Sequence, residues 1–254
     1  MMHFKDSNGN TFTAPEHLRD ITLQQFIDFV TGVEPTKPDL LKQIDEVVQA
    51  ASDDMATTKE KRELSTKLDE LIEQASDPLH MAKHVHPYYA RVVSYWTGMN
   101  EKYILGKDGG EGMNLASLKG LYGQLMDLVN RLPEVEYSNV IDKDEVLWYL
   151  PERFMQDSTV IEFAEAAQFQ ANLAKVLGGD WLSMAKVMCV LVRKKGEVYS
   201  DKLLKREKEF LQWDMFNVWK VAFFLLKRSE TYKHAMQAYI NAQQLAKLRQ
   251  ELKG

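Results

Sequence analysis

Apolar residues recur at helical spacing through most of this chain, from Thr22 onward. An α-helix turns once in about 3.6 residues, so positions i, i+3, i+4 and i+7 share one face and can pack together. The first stripe with this spacing consists of Leu23, Phe26, Ile27 and Val30. Thr22 is a suitable N-cap before this stripe, and Gly32 is a suitable stop after it. The pattern predicts a mainly α fold.

A turn signal near the start of the chain predicts the main exception to the helices. Asn8 and Gly9, a preferred centre for a two-residue hairpin turn, lie between Phe4 and Phe12. We therefore expect a short N-terminal β-hairpin, with strand confined largely to residues 2–14. A two-stranded hairpin is marginally stable alone, so it must pack on a helix or extend a partner's sheet. Its edge at Phe4 and Phe12 is thus one candidate contact surface.

Two apolar stripes in residues 40–51 and 64–75 predict a pair of antiparallel helices, because their outer faces are charged and a polar segment separates them. Farther along, residues 133–144 have the composition of a linker. We predict two lobes on either side of it. Residues 1–137 would hold the hairpin and a helical lobe, and residues 138–254 would form a compact helical bundle.

Composition excludes several classes of protein. The 254 residues are 45% hydrophobic and 27% charged, as in globular rather than disordered chains. The single cysteine, Cys189, excludes an internal disulfide, and its place in an apolar run favours a buried, inert thiol. No signal-peptide core and no apolar stretch of about 20 residues is found. We expect a cytoplasmic protein without a membrane span.

No motif in the sequence indicates catalysis. His80 and His84 are spaced i, i+4, with His86 close by, but no HExxH-type glutamate accompanies them. Exposed or hydrogen-bonded histidines beside a proline-bounded turn are the simpler interpretation. The glycines of residues 109–112 match neither a P-loop nor a dinucleotide fingerprint. We predict a non-enzymatic protein with no cofactor and no bound metal, and a metal-dependent enzyme ranks third among the alternatives.

Large apolar residues late in the chain are the candidates for partner binding. Aromatic and methionine side chains are concentrated in residues 181–224, which favours core packing first and a partner groove or oligomer interface second. The apolar stripe of a last helix, residues 230–252, thins toward its end and could dock on a partner. The partner-binding candidates are Trp213, Phe216, Trp219, Phe223, Leu245, Leu248 and Leu252.

Charge is divided unequally along the chain. Its net value is −5, yet residues 193–254 hold 14 Lys and Arg against 7 Asp and Glu. A basic third of this kind suggests a second function, a regulatory or nucleic-acid-associated factor. The basic residues are spread along helical faces without an aromatic–basic RNA motif, so nucleic acid is the less favoured partner.

Three stretches resemble a known group of proteins: residues 20–29, with Ile21-Thr22-Leu23 followed by Phe26; residues 91–98, an apolar helix ending in Thr97-Gly98; and the region from Phe163 to Leu226. The chain resembles the helical accessory proteins of tailed bacteriophages, which include tail-assembly chaperones and proteins at the portal and tail. The resemblance covers about half of the chain. It implies a structural or assembly protein that binds other phage structural proteins, or copies of itself, in the host cytoplasm or the virion.

Overall fold

The computed structural model describes residues 1–5, 11–52, 56–107, 112–151 and 181–228. These residues are mainly helical, and a two-stranded antiparallel sheet lies at the N-terminus, as the sequence predicts. The predicted last helix, residues 230–252, lies outside the described residues. Within the described ranges, no helix has both the length and the apolar content needed to cross a membrane.

The elements alternate between longer helices and short turns of other types. The helices are α1 (Leu23–Asp28), α2 (Asp39–Ala51), α3 (Thr58–Ser76), α4 (Pro78–His80), α5 (His86–Thr97), α6 (Glu101–Ile104), α7 (Leu115–Asn130), α8 (Leu182–Leu191), α9 (Glu207–Leu211) and α10 (Met215–Arg228). The strands are β1 (Met2–Lys5), β2 (Thr11–Ala14), β3 (Val140–Lys143), β4 (Val146–Tyr149) and β5 (Arg193–Lys194). Short 3₁₀ turns cover Leu18–Asp20, Glu34–Thr36 and Asp201–Arg206, and π-helical turns cover Phe29–Val33 and Met81–Val85.

Four helix boundaries are set by local chemistry. Thr22 accepts a hydrogen bond from the backbone N–H of Gln25 at 3.2 Å, and the Gln25 side chain accepts one from Thr22 N–H at 2.9 Å. This reciprocal pair is the capping box that starts α1. Asn114 and Asp214 cap α7 and α10 by accepting bonds from backbone N–H groups three residues on. Gly98 ends α5 with a φ of 72°, a left-handed conformation that glycine adopts without strain.

The described residues group into two compact units. The first unit contains residues 1–2, 15–31, 126–151 and 181–228, and the second contains residues 3–5, 11–14, 32–52, 56–107 and 112–125. Residues 15–31 thus belong with the C-terminal part of the chain by contact. Whether residues 1–137 and 138–254 fold as independent lobes stays a prediction.

The second unit is built from neighbouring helices. Helices α2 and α3 pack against each other, as expected for the predicted helical hairpin, and β2 contacts α5. Helix α5 buries the most side chains here, including Tyr88, whose hydroxyl donates a 2.8 Å hydrogen bond to Glu34. Most of this unit therefore arises from contacts between elements that follow one another closely in sequence.

A second sheet corrects the prediction for residues 133–144. Strands β3, β4 and β5 form a three-stranded antiparallel sheet, with Val140 opposite Tyr149 and Trp148 opposite Lys194. The β3–β4 turn lies at Asp144 and Glu145, which adopt φ of 53° and 64°. Two successive positive φ values are typical of a hairpin turn that usually uses Asn-Gly or Asp-Gly. Because glutamate is not a turn signal, this hairpin was not predicted. The prediction of strand confined largely to residues 2–14 was therefore wrong, and the predicted linker, residues 133–144, is free of helix and strand only in residues 133–139 and at position 144.

Long-range contacts build the first unit around α10. The backbone N–H of Leu23 donates to the Trp213 carbonyl, and Met215 N–H donates to the Ile21 carbonyl, both at 2.8 Å. These bonds join the start of α1 to the start of α10. Trp181 then packs edge-on between Phe26 and Trp219, with ring centroids 5.1 and 4.7 Å away. A core of interlocked aromatic rings results, so the position of α10 is fixed.

Candidate functional site: the accessible face of helix α10

Helix α10 is buried on most of its circumference, and the exception is a single stripe. Of residues 215–225, eight are buried, whereas Phe216, Lys220 and Phe223 are only partly so. These three positions are spaced i, i+4 and i+7, so they lie on one side of the helix. We call this stripe the partner face. It is the part of α10 on which another molecule can pack without displacing the core.

Positive charge surrounds the beginning of the partner face. The Arg19 guanidinium carbon lies 4.6 Å from the centre of the Phe216 ring, and the Lys220 Nζ lies 4.9 Å from it. Cations are attracted to the negative face of an aromatic ring. The neighbouring Asp20 carboxylate accepts bonds from the backbone N–H groups of Glu16 and His17, at 2.9 and 3.0 Å. Two cationic side chains therefore lie against the Phe216 ring.

Negative charge borders the other end of the partner face. A groove of about 520 Å³ opens beside Phe223. Its remaining lining is the extended segment Pro133, Glu134, Val135 and Glu136. Both glutamates are exposed, while Phe223 and Val135 give the groove an apolar surface. The next aromatic residue, Tyr137, stacks on Phe224 at 5.3 Å, which holds the extended segment against α10.

The partner-binding candidates on and next to α10 differ in burial and fall into two groups. Trp213 and Trp219 are 2% and 6% exposed and belong to the core. Trp213 packs against Trp148 and Phe210, with ring centroids 5.2 and 5.1 Å away. Burial of Trp219 fits the core packing that the sequence favours for residues 181–224, whereas Phe223 is only partly covered. Phe216 and Phe223 are therefore the aromatic candidates that remain accessible.

Two other contact surfaces were predicted, the end of the last helix and the edge of the N-terminal hairpin, and the structure describes only the second. Leu245, Leu248 and Leu252 lie outside the described residues, so their role stays a prediction. In the N-terminal sheet, Phe4 and Phe12 stack on each other with ring centroids 5.9 Å apart. Each ring therefore covers part of the other.

The histidines and the cysteine considered for chemistry lie in different places in the described part of the chain. The His80 and His84 rings lie 4.9 Å apart, and the part of the chain described here contains no group of three potential metal ligands. Burial, together with the nearby Lys119 charge, lowers the pKa of His86. Cys189 is buried as predicted, and burial raises the pKa of its thiol to about 12, which suppresses its reactivity. Absence of metal binding stays a prediction.

A second charged surface follows the edge strand β5. Lys194 Nζ and the Arg206 guanidinium carbon both lie over the Trp148 ring, at 4.9 and 5.8 Å. Arg206 also forms a two-point ion pair with Glu197, which keeps the pKa of that carboxyl below its usual value. We call the exposed lysines beside this pair the lysine surface. They are Lys194, Lys195, Lys202 and Lys205.

No protein-family model matches this chain, and no curated protein and no solved structure matches it either. The site therefore has to be interpreted from its own geometry.

Sequence reasoning missed the charged residues that frame the partner face. Phe216 and Lys220 are one helical turn apart, and that spacing could have indicated their contact. Arg19 is distant in sequence, and Glu134 and Glu136 fell in the predicted linker. No local pattern shows that these three residues flank one helix, because only the folded chain brings them to α10.

Proposed function

We propose that this protein is non-enzymatic and acts by binding another protein through the partner face. The observation that carries the proposal is a pair of partly exposed aromatic residues, Phe216 and Phe223, on a helix whose other positions in residues 215–225 are buried except for the partly buried Lys220. Two aromatic rings on a helix fixed by the core form a rigid apolar surface. Such surfaces lose little side-chain freedom on binding, which favours association.

We propose further that the partner is another phage structural or assembly component, in the host cytoplasm or the virion. Support comes from the resemblance to phage helical accessory proteins. Two of its stretches, residues 20–29 and 91–98, are described in full, and each contains a helix with the expected start or end. Residues 20–29 also pack beside α10, so this stretch has a structural role in holding the partner face.

The proposal is tested by affinity capture from phage-infected cells with three forms of the tagged protein. One is the unmodified chain, and the second carries Phe216→Glu and Phe223→Glu. The third carries Leu182→Glu and Leu204→Glu as a matched control, because these leucines are 50% and 39% exposed and lie in the same unit. We expect one virion protein to bind the unmodified chain and the control but not the second form.

Two results would overturn the protein-binding proposal. One is that no virion protein is captured by the unmodified chain. The other is that all three forms capture the same proteins equally. A purified partner then allows the loss to be measured as a change in affinity, and replacing two central aromatic contacts should weaken binding by about a hundredfold or more.

The lysine surface supports a second candidate function, binding to nucleic acid. Lys194, Lys195, Lys202 and Lys205 lie on β5, its turn and the following 3₁₀ segment, while the nearby Glu197 is paired with Arg206. If they contact phosphates, affinity for DNA or RNA should fall steeply with salt. Lys194→Glu with Lys195→Glu should reduce both the affinity and its salt dependence. The exchange Lys59→Glu with Lys67→Glu on α3 is the control, and equal effects would remove this candidate.

A further inference from the structure

The lysine surface lies in a basic segment of an acidic chain. Residues 193–208 hold seven Lys and Arg against three Asp and Glu, whereas the whole chain has a net charge of −5. One of the three acidic residues, Glu197, is paired with Arg206. Uncompensated positive charge is therefore concentrated in this segment, and it attracts an anionic partner.

Two large aliphatic side chains in the same segment are open to solvent. Val198 and Leu204 are 77% and 39% exposed. The ion pair between Glu197 and Arg206 ties the chain next to Val198 to the 3₁₀ turn of residues 201–206, which contains Leu204. The two aliphatic residues thus follow or precede, by one or two positions, the residues of a single contact.

The lysines of β5 and of the 3₁₀ turn belong to the same surface. Lys194 on β5 and Arg206 at the end of the turn both lie over the ring of Trp148. Trp148 is 3% exposed, so the core fixes the place where they meet. Side chains three residues apart in a 3₁₀ turn share one side, which groups Lys202 with Lys205. The result is a fixed cationic surface with exposed aliphatic side chains beside it.

A polyanion such as DNA or RNA accounts for the lysines but not for the aliphatic side chains. Its backbone is bound through charge, and its bases stack on aromatic side chains, so neither contact uses Val198 or Leu204. A layer of anionic phospholipid has both properties that this surface matches. Its phosphates attract lysines, and the apolar layer directly beneath them accepts aliphatic groups.

We propose that the lysine surface, together with Val198 and Leu204, binds peripherally to an anionic phospholipid membrane. The lysines contact lipid phosphates, and the two aliphatic side chains enter the boundary between headgroups and acyl chains. Such attachment lies on the membrane and needs no spanning helix. The inference goes beyond the proposed function and uses none of the residues of the partner face.

The first test is co-sedimentation of the full chain with vesicles. One set contains phosphatidylcholine alone, and the other is an equal mixture of phosphatidylcholine and anionic phosphatidylglycerol. The chain should bind the mixed vesicles at least about tenfold more tightly, and added salt should weaken this binding. Lys194→Glu with Lys195→Glu should remove most of the preference. The control, Lys59→Glu with Lys67→Glu on α3, should leave it unchanged.

The second test isolates the aliphatic contribution. Val198→Ser with Leu204→Ser should weaken binding to the mixed vesicles by about tenfold, and this loss should persist at high salt because apolar contacts are not screened. Ile72→Ser with Leu115→Ser is the matched control, since these side chains are 47% and 45% exposed in the other unit. Circular dichroism of each variant excludes loss of fold as the cause of weakened binding.

A fluorescent label reports insertion directly. A nitrobenzoxadiazole dye on Val198→Cys should emit more strongly and at shorter wavelength when mixed vesicles are added. The same dye on Ile72→Cys should not change. Cys189 is 1% exposed, so the dye attaches to the introduced cysteine.

Three results would overturn the membrane proposal. They are equal or absent binding to the two vesicle compositions, an aliphatic variant that binds like the unmodified chain, and a label at position 198 that senses no apolar environment. Fluorescence anisotropy with labelled DNA and RNA separates the alternative. If the chain binds these oligonucleotides and not the vesicles, and Val198→Ser with Leu204→Ser has no effect, the lysine surface is a nucleic-acid site.

Discussion

Helices α3 and α10 show the same helical period but different relations to the rest of the protein. Helix α3 has 19 residues, of which only Leu71 and Ala75 are buried. In residues 215–225 of α10, eight of eleven side chains are buried. Helix α3 packs chiefly on α2, whereas α10 is surrounded by segments from three parts of the chain. An accessible apolar residue therefore has a different meaning on the two helices.

On a helix covered on one side only, an exposed apolar residue is ordinary, and Ile72 of α3 is an example at 47% exposed. On α10 the surrounding segments cover almost every position, so the stripe left open by them is confined and bordered by charge. The comparison teaches that the environment of a side chain, and not its type, separates a core residue from a contact residue.

The largest effect is expected within α10 itself. Trp219→Ala should lower the free energy of unfolding by about 3–5 kcal/mol, because a buried ring in contact with Trp181 leaves a cavity. Phe223→Ala should cost only about 1–2 kcal/mol, since the ring is already partly in water. Urea unfolding measures both values. Equal losses would mean that Phe223 is a core residue and that the partner face is misassigned.

A smaller effect is expected in the α2–α3 pair. Leu71→Ala should lower the free energy of unfolding by about 2 kcal/mol, because this side chain is 6% exposed but has fewer elements around it than Trp219. Its neighbour Ile72 provides the control, and Ile72→Ala should change stability by about 0.5 kcal/mol or less. The same urea titrations measure these values. A loss at Ile72 as large as that at Leu71 would show that α3 is covered on a second side.

The smallest effect concerns the pH dependence of the first unit. Burial, reinforced by the nearby Glu207 charge, raises the pKa of the Cys189 thiol from 9.0 to about 12. The unfolded chain therefore loses this proton at lower pH than the folded chain. Stability that is present below pH 9 is lost as the pH rises toward 12. Between pH 8 and pH 10, the free energy of unfolding measured in urea should fall less for Cys189→Ala than for the unmodified chain. An identical fall in both proteins would contradict burial of the thiol.

Much of the fold could be predicted because helix period and caps are local properties. Thr22, Gly98, Asn114 and Asp214 end or begin helices through bonds to residues at most four positions away. The β3–β4 hairpin could not be predicted, because Asp144 and Glu145 adopt left-handed backbone angles and no glycine or asparagine indicates the turn. Its strands are also stabilised by a distant third strand, β5.

The candidate site was only partly predictable, for a related reason. Trp213, Phe216, Trp219 and Phe223 have similar hydrophobicity, and their burial is decided by Trp181, Arg19 and residues 133–136. Sequence spacing identified these four residues as candidates but could not show which of them are buried. Segments far away in the chain determine which of them lie in the core and which lie on the partner face.

Photo-crosslinking tests most directly whether the accessible side of α10 contacts another polypeptide. Benzoylphenylalanine replaces Phe223 in one form of the protein and Lys186, an exposed residue of α8, in a second form as the control. Irradiation in infected cells should join the protein to a second polypeptide, a virion protein or another copy, from position 223 and not from position 186. Absence of any adduct from position 223, or equal adducts from both positions, would contradict the claim.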